Sequence, residues 1–192
     1  MKRIGLTGSI GAGKSAASDW LRGQDFAVHD ADAAVHEIYA RPEVQAWLHE
    51  HFPGAVDAGK VNRHYLAETI YTQPRMRKFL EDYIHPLVAA HRAEFLYKAR
   101  QAGRGFAVLD IPLLFETGRE AEMDEVWLVT APVEVRRVRA LARPGMTAEK
   151  FDRINGAQMS EDQKILRANH VIENSGTLAQ LHEKLAWLTG RI

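Results

Sequence analysis

Short apolar runs alternate along this chain with stretches whose apolar residues recur every three or four positions, an order that predicts strands joined by crossover helices. The strand candidates are Arg3 to Thr7, Phe26 to His29, Phe106 to Asp110, Val126 to Thr130 and His170 to Ile172. Most are short and continuously apolar, as strands covered on both faces are, so the expected class is α/β with a small parallel five-stranded sheet flanked by helices. Between the second and third candidates lie roughly 75 residues without a strand pattern. There Val44, Trp47 and Leu48, then Met76, Phe79, Leu80, Tyr83 and Ile84, then Leu87, Val88 and Phe95 fall at helical spacing, which predicts an inserted helical subdomain over residues 42–103. Pro86 disfavours helical backbone at His85, so the later series should be two helices with Pro86 opening the second. Further helices are expected near Ala148 to Gln158, Glu161 to Ala168 and Thr177 to Leu188, the last with Leu178, Leu181, Leu185 and Leu188 on one face.

Length and composition narrow the function. The 192 residues suit one domain with an insertion, and 46% hydrophobic content is enough for a sizeable core. Twenty-five basic residues balance 25 acidic ones, so no global field holds nucleic acid or a membrane surface, and any anion site must be local. Cysteine is absent, which removes disulfides, thiolate zinc sites and thiol nucleophiles. No stretch approaches the ~18 apolar residues of a spanning helix, and the opening residues carry no signal-peptide pattern, so a cytoplasmic protein is expected.

Gly8-Ser9-Ile10-Gly11-Ala12-Gly13-Lys14-Ser15 fits G-x-x-x-x-G-K-[ST] between an apolar run and a plausible helix from Lys14 to Leu21. With 14 Gly, 8 Lys and 13 Ser plus Thr in the chain, chance gives on the order of 0.003 such matches. The chemistry asks for these residues because backbone N–H groups at a helix N-terminus form a nest for phosphate oxygens, which glycine lets the chain approach. Lys14 then neutralises the β and γ phosphates and Ser15 offers an oxygen to Mg²⁺. Asp110, ending an apolar run, is the candidate second magnesium ligand, with a turn or helix cap as its alternative role.

No Asn-Lys-x-Asp or Asp-x-x-Gly tetrapeptide occurs, so a regulatory GTPase is disfavoured. A kinase needs an acceptor site, a carboxylate near the acceptor hydroxyl and arginines that close over the transferring group. Asp30 and Asp32 follow the second strand candidate, where a ligand would meet the sheet edge; either could instead cap the helix expected from Ala33 to Tyr39. Arg136, Arg137, Arg139 and Arg143 form a run without an acid, ending at a hinge-like Pro144-Gly145, and read as a lid or as a solvated helix face.

Taken together, the phosphate loop, Asp30-Ala31-Asp32, His85-Pro86, Asp110-Ile111-Pro112-Leu113-Leu114-Phe115-Glu116, Gln158-Met159 and Val171-Ile172-Glu173-Asn174-Ser175-Gly176 resemble the dephospho-CoA kinase family. The resemblance spans nearly the whole chain. It implies a single kinase domain over residues 1–192, with the insertion serving the acceptor and a lid over residues 136–160. The implied reaction moves the ATP γ-phosphate to the 3′-hydroxyl of dephospho-CoA. Carried onto matching positions, it implies ATP contacts from Gly8, Gly11, Ala12, Gly13, Lys14, Ser15 and Ala16, with Asn174 and Gly176 near the adenine. Asp32 would take or orient the hydroxyl proton with Asp30 as its neighbour, and Lys14, Arg139 and Arg143 would offset charge on the transferring group. Acceptor contacts would come from Asp30, Asp32, His85, Asp110 and Leu113, and Mg²⁺ ligands from Ser15 and Asp110. The partner implied is a small molecule, with neither nucleic acid nor membrane, and the chain would act as a monomer.

Three positions depart from the family pattern: Ser9 where a second glycine is usual, Pro144 where an acid commonly follows the lid arginine, and Asn169 where Asp is common. His85 reads equally as a buried structural histidine, and Gln158 and Lys164 as helix-surface residues. A kinase for another nucleoside or small metabolite is the alternative function, and a nucleotide-dependent binding protein a third.

Overall fold

The computed structural model describes residues 1–191. In chain order it contains β1 (Lys2–Thr7), α1 (Lys14–Gly23), β2 (Val28–Asp30), α2 (Ala31–Tyr39), α3 (Pro42–His51), β3 (Val56–Asp57), β4 (Lys60–Val61), α4 (Arg63–Thr72) and α5 (Pro74–Gln101). There follow β5 (Phe106–Asp110), a 3-10 turn at Arg119–Glu122, β6 (Glu125–Thr130), α6 (Val133–Leu141), α7 (Ala148–Ala157), α8 (Glu161–Arg167), β7 (His170–Glu173) and α9 (Leu178–Thr189). Among the described residues no helix is long and apolar enough to cross a membrane.

The five strands expected from the apolar runs form one parallel sheet in the order β2-β5-β1-β6-β7. β1 sits at its centre, covered on both faces: Ile4 and Leu6 are fully buried on one, and Gly5 and Thr7 are buried on the other. Its register pairs Leu6 with Asp110 on one side and Thr7 with Leu128 on the other, while Thr130 pairs with Glu173 further along. The strand ends at Thr7, Asp110, Thr130 and Glu173 therefore share one edge, on either side of the point where the strand order reverses. Ligands of open parallel sheets bind at such a switch point.

The chain divides into two compact units, one of residues 1–29 with 99–192 and one of Asp30–Lys98. The first has its core on the sheet, where Ile4, Leu6, Val108, Trp127 and Val129 pack with Leu21 of α1 and Leu181, Leu185 and Leu188 of α9. At about 25 cal/mol per Å² of apolar surface, each such side chain stabilises the unit by roughly 1.5–3 kcal/mol relative to exposure. α9 starts where the sequence can satisfy its first N–H groups: Gln180 N–H donates to Thr177 Oγ1 (3.3 Å) and Thr177 N–H to Gln180 Oε1 (2.9 Å), a capping box. Leu178, expected on the buried face, is 58% exposed, since it stands at the first position of the helix.

The second unit has its own core of Ile38, Val44, Leu48, Phe52, Leu66, Leu80 and Ile84, with Trp47 stacked on Tyr83 at 3.9 Å. Two expectations fail in it. α5 runs unbroken through Pro86 for 28 residues instead of splitting in two. A proline removes one intrahelical donor and crowds the carbonyl four residues back. Here Pro86 and Asp82 are both exposed, on the water side, where the lost bond is cheapest. The second failure is the β3–β4 hairpin, in a stretch read as strandless. Its two-residue turn, Ala58-Gly59, has both residues at positive φ, 45° and 73°, the twist that two-residue hairpins require.

Candidate active site

β1 ends at Thr7, and the chain turns through Gly8 to Gly13 before α1 begins at Lys14. Gly8 and Ala12 are buried, Ala16 is half-buried and Ser15 is exposed on the first turn. Gly11 and Gly13 take φ of 78° and 99°, a region disfavoured for residues with a side chain. Space forbids a side chain there as well: a Cβ on Gly11 would strike the Arg136 carbonyl, and one on Gly13 the Asn174 amide. No side chain caps α1, so its first-turn N–H groups and the positive end of its dipole are available to an anion.

The Leu6–Asp110 register brings Asp110 beside this loop. Its carboxylate, 2% exposed, accepts from Lys14 Nζ and from Ser18 Oγ. A lysine, a buried carboxylate and two helix hydroxyls, Ser15 and Ser18, thus gather where the phosphate chain would lie. Ser18 was not singled out from the sequence, although it stands four residues after Lys14 on the same helix face. For a divalent cation the donor set is all oxygen, one hydroxyl and one carboxylate, which fits Mg²⁺ shared with substrate phosphates better than a protein cage.

Behind the loop lies a buried charged network. Lys164 of α8 is fully buried; its Nζ donates to Ser9 Oγ (3.0 Å) and pairs with Glu116 Oε1 (2.9 Å). Ser9 Oγ in turn donates to Glu161 Oε2 (2.7 Å). Gln158 Oε1 accepts from Ile10 N–H (3.0 Å), and Glu116 Oε1 accepts from Met159 N–H (2.9 Å). Burial pushes the Glu116 carboxyl up, but hydrogen bonds from Lys164 and backbone N–H groups outweigh it and hold the group below the usual glutamate range. The helix-surface alternative for Gln158 and Lys164 is therefore excluded. Ser9, the departure from a second glycine, serves as the hydroxyl that joins Lys164 to Glu161.

The arginine run splits by role. Arg136 is 5% exposed and so not a solvated residue; it donates to Ala131 O (3.0 Å), Ile10 O (3.4 Å) and Asn155 Oδ1 (2.8 Å) and lies 3.7 Å from Glu161 Oε2. Arg139 donates to Asn174 O (2.6 Å), and its Nη1 stands 4.0 Å from the place a Gly13 Cβ would occupy. Asn174, 7% exposed, donates to Ala12 O (2.8 Å), and Gly176 O accepts a weaker bond from Arg139 (3.4 Å). The phosphate loop, Arg139, Asn174 and Gly176 thus meet. Arg143 does not join them: it is exposed, with no side-chain hydrogen bond among the described residues. It precedes a turn in which Met146 N–H donates to Arg143 O (3.2 Å), with Pro144 at the second position and Gly145 at φ 72° at the third. Asn169 accepts from Val126 N–H (2.7 Å), a bond an aspartate would also make.

In the second unit Asp30 ends β2 and caps α2, accepting from Asp32 N–H (2.9 Å) and Ala33 N–H (3.0 Å). Asp32, in the first turn of that helix, is exposed, and its carboxylate has no partner among the described residues. The two carboxylates thereby separate into a helix cap, Asp30, and an exposed carboxylate without a partner among the described residues, Asp32. His85 is exposed on α5, so it is not a buried structural histidine. Leu113, in the first unit after β5, is 45% exposed.

The family model and the curated relatives agree on one family. The family model for dephospho-CoA kinase (CoaE) matches residues 2–180. The dephospho-CoA kinase of Bartonella quintana is 40% identical over 185 residues, 96% of this chain and 95% of that protein. That of Rhodopseudomonas palustris is 44% identical over 175 residues, 91% of this chain and 87% of that protein. Among solved structures, TT1252 from Thermus thermophilus superposes with a TM-score of 0.85 at 36% identity, covering 100% of this chain and 97% of that one. Dephospho-CoA kinase from Campylobacter jejuni, at 22% identity and a TM-score of 0.73 over 98% of this chain and 96% of that one, shares the fold. Matched over nearly its whole length, the chain belongs to the dephospho-CoA kinase family.

Proposed function

We propose that the chain transfers the γ-phosphate of ATP to the 3′-hydroxyl of dephospho-CoA, giving CoA and ADP, in the cytoplasm. The observation that carries this reading is the phosphate loop: an uncapped α1 N-terminus, Lys14 and the buried Asp110 converge at the carboxyl edge of the sheet. Family membership supplies the acceptor.

The chain's work in such a transfer is positioning and charge neutralisation. The N–H groups of Gly11 to Ala16 hold the β and γ phosphates. Lys14 exchanges its Asp110 partner for a phosphate oxygen, which frees Asp110 to act with Ser15 as a cation ligand. Mg²⁺, when bound there, supplies positive charge to the phosphate oxygens. Arg139, tethered to the Asn174 carbonyl, stands ready to meet the charge on the transferring group, with Arg143 joining it from the lid. Asp32 orients the acceptor hydroxyl and takes its proton as the new O–P bond forms and the bond to the ADP oxygen breaks. His85 and Leu113 contact the acceptor.

The test is to incubate the purified protein with ATP, Mg²⁺ and dephospho-CoA and to weigh the acceptor by mass spectrometry, with adenosine and pantetheine compared. The expected product is dephospho-CoA carrying one added phosphate, with the two shorter acceptors modified far less. ADP release without phosphorylated dephospho-CoA would overturn the reading.

A further inference from the structure

The helical unit contains a cavity of about 310 Å³ lined in part by His36, Tyr39, Gln45, Lys60 and Arg63, near the lower end of the range for small-ligand clefts. Two of these residues are cations and no carboxylate lines the cavity. Neither Lys60 nor Arg63 pairs with an acid among the described residues. Arg63 Nη1 instead donates to His36 Nε2 (2.6 Å), which fixes His36 as an acceptor at that nitrogen and a donor at Nδ1. The rest of the guanidinium fork keeps its donors. Gln45 closes one wall, its Nε2 donating to Tyr39 O (3.3 Å). Burial holds the Tyr39 hydroxyl above the ordinary tyrosine range, and Arg63 offsets only part of that, so the phenol remains a donor. The strained Ala58-Gly59 turn is what carries Lys60 to this wall. Cationic and neutral donors around a cleft without acids make a receptor for a compact, multiply charged anion.

The placement of the cleft says which anion. Asp32, His36 and Tyr39 occupy positions i, i+4 and i+7 of α2, and so share one face of that helix. Asp32 and His36 are separated along the axis by about 6 Å, four residues at ~1.5 Å each. That is the order of the separation between the 3′-hydroxyl and the 5′-phosphates of one ribose. We propose that the His36–Lys60–Arg63 cleft binds the 5′-diphosphate of the acceptor nucleotide, so that one face of α2 grips the diphosphate while Asp32 addresses the 3′-hydroxyl. The inference rests on the role given to Asp32 above. It makes the cleft the determinant that separates a nucleoside diphosphate ester from a bare nucleoside as acceptor.

Arg63→Gln and Lys60→Gln, both at exposed positions, test it singly and together, with steady-state kinetics in each substrate and a melting curve to confirm folding. The expected result is a rise in KM for dephospho-CoA of about tenfold per cation removed. KM for ATP should stay within about twofold, and the kcat/KM preference for dephospho-CoA over adenosine should fall in step. The salt dependence of kcat/KM for dephospho-CoA should flatten in the double variant, as expected when charge attraction is removed. A double variant with unchanged KM for dephospho-CoA, or with KM for ATP rising equally, overturns the cleft while leaving the proposed reaction intact. A parent protein that phosphorylates dephospho-CoA not at all overturns the reaction and the cleft with it.

Discussion

In the proposed reaction Lys14, Asp110 and Asp32 have separable parts. Lys14→Ala leaves Asp110 without its cation and the phosphates without theirs, so turnover should fall by two orders of magnitude or more in a steady-state assay, about the loss of one preorganised charged donor. Asp32→Asn should lower kcat by about 10²–10⁴-fold while KM for ATP stays near the parent value, because a proton acceptor acts mainly in the transition state. Asp32→Asn turnover equal to the parent's would remove Asp32 from the mechanism. Gly13→Ala forces a residue with a side chain to φ 99° and drives its Cβ against Asn174; the Kd for ATP should rise with the fold retained, read by calorimetric titration beside a melting curve. Gly13 and Lys14 were legible as candidates because a phosphate loop needs particular atoms at fixed spacing, Asp110 because it ends an apolar run, and Asp32 through the family resemblance. The residue pattern alone left Asp30 and Asp32 open as cap or base, with the resemblance favouring Asp32 as the base; that Asp30 is the cap of α2 is visible only in the geometry.

α8 shows what an element can hide. Its sequence, Glu161-Asp162-Gln163-Lys164-Ile165-Leu166-Arg167, reads as a polar surface helix, yet Lys164 is fully buried against Ser9 and Glu116 while Leu166 is 86% exposed. Periodicity assigns the buried face to apolar residues, and here it fails because the partner is a charged network. Lys164→Met removes the cation from buried carboxylates and should cost about 3–5 kcal/mol in chemical unfolding, the usual penalty for breaking a buried pair from one side. KM for ATP should rise as Ser9 loses its anchor. The same network sets a pH signature. The folded pKa of Glu116 is depressed, so its contribution to stability is complete above the ordinary glutamate value of about 4.3 and disappears as pH falls through the lower folded value. Melting temperatures of the parent minus those of Glu116→Gln, followed downward from pH 7, should stay level to about pH 5 and then converge; a difference that grows as pH falls would contradict the assigned direction. α5 taught the opposite lesson, for Pro86 argued for a break that solvent exposure makes unnecessary.

At the scale of the molecule, the alternation of apolar runs and helical spacing was enough to give all five sheet strands, while the second compact unit runs over Asp30–Lys98 and so includes α2, outside the insertion expected over residues 42–103. What it concealed was the β3–β4 hairpin, whose strands of two residues each are too short to alternate and whose Ala58-Gly59 turn lacks the usual Asn-Gly signal. Zero net charge sits well with two local anion receptors, the phosphate loop of the first unit and the cationic cleft of the second. The central claim is transfer of a phosphoryl group to one particular hydroxyl, and phosphorus NMR of the reaction with ATP, Mg²⁺ and dephospho-CoA observes it directly. The account predicts a new phosphomonoester resonance coupled to the ribose 3′ proton, growing as the γ resonance of ATP declines. Growth of inorganic phosphate alone, or a monoester coupled to any other ribose proton, would contradict it.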